Sequence, residues 1–258
     1  MAISPSRISV KRSLAVIVTA GASVLLSASA QTASAAPAEE SGEYPVVNEV
    51  TPEAYVDYLE NSDVPGAQDT LAEFTGLSES EQHQFLEHLQ DADTTEALLD
   101  EAAEAGSASP GTRSRAQVND GVVITRTSGM EKVDSGTGEV SPLNLAPGNY
   151  RSWYRVEQKV MGVTVTRLEL NLYYHTNGSR VDDAHRLETG KRNYNFVVNV
   201  TAVNSGHWNS GGYGYGSTNW NGRIGGSIYG VDFGIDIDKR QQITVNKDGF
   251  YSGYLRNI

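Results

Sequence analysis

Asp183 and His185 stand two apart in "VDDAHR", which in an extended strand puts both on one face. A carboxylate so placed can orient an imidazole for general acid–base work. His207 is a second candidate base. No nucleophile accompanies them: "GGSIYG" has Tyr229 where a G-x-S-x-G elbow needs glycine, and no H-E-x-x-H occurs. Paired carboxylates for glycoside hydrolysis have no fixed sequence spacing and stay open.

Binding chemistry is richer than catalytic chemistry. The stretch "GHWNSGGYGYGSTNWNGRIGG" at 206–226 places Trp208, Tyr213, Tyr215 and Trp220 among Asn209, Asn219 and Asn221. Flat rings with amide donors and acceptors nearby are what a saccharide site needs. The other reading is that glycine supplies turns and close backbone contacts while the aromatics plug the ends of a β domain. In "RSWYRVEQK", Arg151, Trp153 and Arg155 share a strand face, as a surface for a polyanion or a carbohydrate would. That face could equally receive an acidic segment of the same chain, or lie under a second sheet. Asp232, Asp236 and Asp238 in "VDFGIDID" are weak metal candidates, since hard cations want several oxygen ligands and no calcium-loop motif surrounds these three. No nucleotide fingerprint or prosthetic-group motif is found, so no cofactor is expected.

The elements that must position these groups fall into two unlike halves. Between positions 39 and 104 there are 19 acidic residues and no basic ones, whereas positions 113 to 258 hold 17 basic and 13 acidic residues. A surplus of four positives spread over that length argues against a nucleic-acid partner. The acidic half reads as short amphipathic helices: Thr51 caps Pro52, and Ser78 with Glu81 forms a capping box before Phe85, Leu86 and Leu89. Asp93 with Glu96 repeats that box before Leu98 and Leu99. Thin apolar faces and unneutralised carboxylates imply that these helices lean on something else.

From Val118 the period changes to two. In "TRLELNLYYHT", Leu168, Leu170, Leu172 and Tyr174 share one face. Asn177-Gly178 predicts a type I′ hairpin. Seven to nine such strands without a long helix between them predict a mainly β fold, an antiparallel sandwich or barrel preceded by a small acidic α-helical region.

The expected organisation is a secretory signal peptide at 1–35, an acidic helical region at 36–105 that is a candidate pro-segment, a linker at 106–117 and an all-β domain at 118–258. The apolar run at 13–30 behind Arg7, Lys11 and Arg12 carries the export expectation, and no membrane span is expected after its removal. Arg115, in the Gly/Ser/Pro-rich linker, is the candidate processing site. The chain has no cysteine, which rules out disulfides, thiolate catalysis and cysteine-held zinc. These features point to a secreted, extracellular, non-enzymatic binding module. Its partner would be a cell-surface glycan or a protein, with the acidic region contacting the β domain within the chain. The alternatives are a secreted hydrolase acting on an extracellular polymer and a structural envelope protein.

Overall fold

The computed structural model describes residues 50–91, 94, 113–133, 145–196, 198–224, 227–228, 231–232 and 235–258, with side chains undescribed for Asn119 and 223–237. The expected signal peptide and the Asp93/Glu96 helix lie outside the described residues.

Three short helices come first. α1 (Pro52–Glu60) starts at Thr51, whose hydroxyl accepts the Ala54 N–H at 3.2 Å, with Pro52 at the first helical position. α2 (Ala67–Thr75) begins behind Gly66 at φ 89°, a conformation that glycine adopts without strain. α3 (Glu79–Gln90) carries the expected capping box, in which the Glu81 carboxylate accepts the Ser78 N–H at 2.8 Å.

The first sheet is an antiparallel meander in chain order: β1 (Arg113–Asn119), β2 (Val122–Lys132), β3 (Gly148–Val160), β4 (Val163–Thr176) and β5 (Val181–Asn193). Ordered strand therefore begins at Arg113, inside the stretch expected to be linker. The second sheet contains β6 (Val198–Ser210), β7 (Tyr213–Ile224), β10 (Ile235–Asn246) and β11 (Gly249–Asn257), in the order β11-β10-β7-β6. Two-residue strands β8 (Ser227–Ile228) and β9 (Val231–Asp232) pair with each other between β7 and β10. The fold is mainly β, with two antiparallel sheets and three small helices ahead of them.

The two sheets share one core. Tyr150, Tyr154, Val156, Leu168, Leu170, Leu172 and Tyr174 of the first meet Trp220, Ile243, Val245, Phe250 and Leu255 of the second. Backbone glycines let the sheets close: a Cβ on Gly216 would lie 2.6 Å from Leu187 Cδ1, and one on Gly253 would lie 2.6 Å from Tyr154 Cγ. The Gly-x-Gly pattern of β7 is thus a packing device.

The helices cover the remaining end of the first sheet's inner face. Tyr55, Leu59, Phe74, Phe85, Leu86 and Leu89 form a second core with Val122, Val160, Val163, Val165 and Tyr194. Val122 and Val160 have the same strand parity as Ile124 and Val156, so these long strands bury one end under the second sheet and the other under helices. At the boundary, buried Gln158 donates to the Thr94 carbonyl at 2.8 Å. Polar clamps flank this core: the Glu73 carboxylate accepts the Thr164 N–H at 2.7 Å and pairs with Lys159 at 3.2 Å. Burial of apolar side chains, more than attraction between opposite charges, builds this contact.

Asn177-Gly178 departs from the expected turn. Only Gly178, at φ 83°, takes a positive φ. The Asn177 side-chain oxygen accepts the N–H groups of Ser179 and Arg180, making a longer Asx-anchored loop. Both central residues have positive φ at Met161 (48°) and Gly162 (88°), the type I′ condition, in the turn joining β3 to β4.

Candidate functional site

β6 and β7 run antiparallel with Trp208 opposite Tyr215. Adjacent strands are about 4.8 Å apart, so rings on opposed residues stand as parallel plates. The centroids are 5.1 Å apart and the planes differ by 9°. Tyr213 continues the group at 6.4 Å from Tyr215, and Tyr251 of β11 meets Tyr213 edge to face at 5.4 Å. These four rings form one aromatic group on the outer face of the second sheet. Trp208 is 43% exposed and Tyr251 48%, two of the few large hydrophobic side chains left in solvent among the described residues. Because β6 is the edge strand, the Trp208 ring face turned away from Tyr215 is not covered by a further strand of this sheet.

Trp220 does not join them. It is 2% exposed, and its indole N–H donates to Gln241 Oε1 at 2.8 Å inside the core. Strand parity is the reason: Gly214, Gly216, Thr218 and Trp220 point inward, while Tyr213, Tyr215, Ser217 and Asn219 point outward. That signal was present in the sequence. Tyr251 was missed because a β-bulge at Thr244/Val245 shifts the register of β10 against β11 next to it.

Further along the same face the groups are polar. The Tyr254 hydroxyl donates to Gln242 Oε1 at 2.9 Å, and Arg240 Nε donates to Asn219 Oδ1 at 3.1 Å. The Arg256 guanidinium lies 4.3 Å from the Tyr254 ring centroid.

Arg151, Trp153 and Arg155 lie on the other sheet, facing outward from β3. Trp153 leans on Gly129 of β2, where a Cβ would come within 2.1 Å of its ring. Arg151 sits 5.6 Å from the Trp153 ring centroid. The arginines here are already neutralised. Arg151 pairs with Glu131 at 3.0 Å, Arg155 with Glu169 at 2.7 Å, and Arg167 Nε with Glu157 Oε2 at 2.6 Å. Burial pushes the Glu169 carboxyl up, but Arg155 beside it more than offsets this and holds it below the ordinary carboxylate range. Arg151, Arg155 and Arg167 thus form a ladder with Glu131, Glu169 and Glu157, and none of these three arginines offers an unpaired charge to a polyanion.

The histidines lie at the exposed surface. His185 Nδ1 is 3.5 Å from Asp183, both on β5. A tighter pair was not foreseen: His175 Nδ1 lies 2.7 Å from Asp182 Oδ1, and this hydrogen bond holds the Asp182 carboxyl below its ordinary range. His207 is exposed on β6, opposite Gly216. Asp238 is exposed, whereas the side chains of Asp232 and Asp236 lie outside the described residues. Among the described residues, no three His, Asp or Glu side chains gather as a metal site would require. Arg115 sits within β1, paired with Thr125 of β2, so cleavage there would first require the strand to leave its sheet.

No family model matches the chain, and neither the curated proteins nor the solved structures include a match.

Proposed function

We propose that the chain is a secreted, non-enzymatic binding module that uses the outer face of its second sheet to hold an extracellular glycan. The observation that carries this reading is the contiguous ring group Trp208, Tyr215, Tyr213 and Tyr251, exposed at both ends. A domain able to bury Trp220 and eight core tyrosines and phenylalanines gains nothing for stability by leaving Trp208 and Tyr251 in water; clustered exposed aromatics mark interaction surfaces. Amides and hydroxyls of Ser217, Asn219 and Gln242 extend the face with groups that exchange hydrogen bonds with sugar hydroxyls. The acidic helices remain with the β domain in this reading, because their removal would open Val122, Val160, Val163, Val165 and Tyr194 to solvent.

The test is binding of the purified chain to a panel of neutral and acidic polysaccharides by affinity electrophoresis and calorimetry. Trp208→Ala and Tyr251→Ala should each weaken binding by about tenfold or more, with thermal stability close to the parent's. Unchanged affinity in both variants would sink the proposal.

A further inference from the structure

Arg240 and Arg256 stand directly opposite one another across β10 and β11. Like charges in that relation repel across roughly 5 Å and destabilise a sheet. Arg167 and Arg192 face each other in the same way across β4 and β5, and there Glu157 pairs with Arg167. On the first sheet Arg151, Arg155, Arg167 and Arg186 each have a carboxylate partner. Arg240 and Arg256 have none among the described residues. Each guanidinium has five N–H donors, and of these only Arg240 Nε has a protein acceptor among the described residues, Asn219 Oδ1. Both heads are nevertheless held: Arg240 by that bond, and Arg256 against the Tyr254 ring, which is itself tied to Gln242. Two positioned cations with no carboxylate in contact among the described residues, the exposed Asp238 standing one row further along β10, form a site that lacks its ligand's charge.

The placement relative to the aromatic group tells what kind of ligand. The row Asn219–Arg240–Arg256 lies four residues along β7 from the row of Trp208 and Tyr215. At about 3.3 Å per residue the separation is about 13 Å. Ser217, Gln242 and Tyr254 fill the interval. One extended ligand can lie on both rows only if it carries apolar ring faces and, several units away, negative charge.

We infer that this face takes an acidic polysaccharide: Arg240 and Arg256 hold carboxylate or phosphate groups on the polymer while Trp208 and Tyr251 hold its sugar rings. Guanidinium heads suit both anions, since paired N–H donors match paired oxygens. The inference rests on the glycan reading of the same face and adds the ligand's charge class and the residues that read it.

Matched pairs of polymers test it on the full chain. Polygalacturonate is compared with its methyl ester, and phosphomannan with the same mannan after phosphate removal, by affinity electrophoresis and calorimetry. Retention of either acidic polymer, at least tenfold tighter than its neutral counterpart, is the expected result, and the polymer retained identifies carboxylate or phosphate. R240Q/R256Q should erase that preference and flatten the salt dependence of binding. R256E should abolish binding while leaving the protein at least as stable, with Tm higher by about 1–3 °C, because a carboxylate then faces Arg240. Equal binding of charged and neutral polymers, or full affinity in R240Q/R256Q, overturns the inference; loss in W208A then still supports the glycan reading. Full affinity in W208A and Y251A with loss in R240Q/R256Q has the opposite meaning: the arginine site stands and the aromatic reading falls. Retention of none of the four polymers overturns the inference outright.

Discussion

The Tyr55 hydroxyl donates to the Tyr194 carbonyl oxygen at 3.0 Å, a buried bond between residues 139 positions apart. Tyr194 returns the connection, its own hydroxyl donating to the Pro65 carbonyl at 2.6 Å. The acidic helices are therefore built into the β unit by buried polar contacts as well as by an apolar core. Tyr55→Phe should lower unfolding free energy by about 1–2 kcal/mol, the cost of leaving a buried carbonyl without its donor, measured by urea denaturation. A chain beginning at Arg113 should aggregate or bind a hydrophobic dye strongly, because the valine-rich end of the first sheet loses its cover. A monomeric, dye-silent product would restore the removable pro-segment.

Glu73 makes part of this junction depend on pH. Burial raises its carboxyl, but the Thr164 N–H and the Lys159 ammonium outweigh burial and hold it below its ordinary value of 4.5. A depressed folded-state value means stability present above about pH 4.5 and lost as pH falls through the folded value. Glu73→Gln keeps an acceptor for Thr164 without the titration. Its stability should fall less steeply than the parent's between about pH 5 and pH 3, as followed by thermal melts across that range.

The three tryptophans report three environments. Trp208 is exposed, Trp153 half-buried and Trp220 buried. Acrylamide should quench Trp208 first, and Trp208→Phe should remove the most accessible component of the emission. Ligand on the second sheet should protect that component. Trp220→Phe should leave the accessible component intact but cost about 1–3 kcal/mol through lost volume and an unpaired Gln241.

Gly253→Ala probes the contact between the sheets. A methyl group there meets the Tyr154 ring, which stacks on Phe250 at 6.1 Å between centroids. The ring must shift, at a cost of about 1–3 kcal/mol in denaturant unfolding, whereas Gly206→Ala, with open space around it, should be close to neutral.

Some of this was legible in the residues and some was not. The alternation of Leu168, Leu170, Leu172 and Tyr174 is a local property of one strand, and those side chains are the buried ones. The Ser78–Glu81 box is likewise complete within one helical turn. Parity along β7 would have assigned Trp220 to the core, since its number differs by an odd step from outward Tyr213 and Tyr215. Charge counting pointed to an electrostatic contact between the halves, but charge says nothing of which strand ends lie bare, and those ends recruit the helices by burial.

What the sequence by itself determined is therefore what periods of two and 3.6 residues encode: helices first, then antiparallel strands, and which side of each strand is apolar. Only the tertiary structure decided which strands are neighbours. Strand order placed Trp153 on one sheet and Trp208 on the other, brought Tyr251 to Tyr213, and set Arg256 across from Arg240. Pairing and register arise from the summed packing of whole strands and from bulges such as the one at Thr244/Val245, so no window of a few residues contains them.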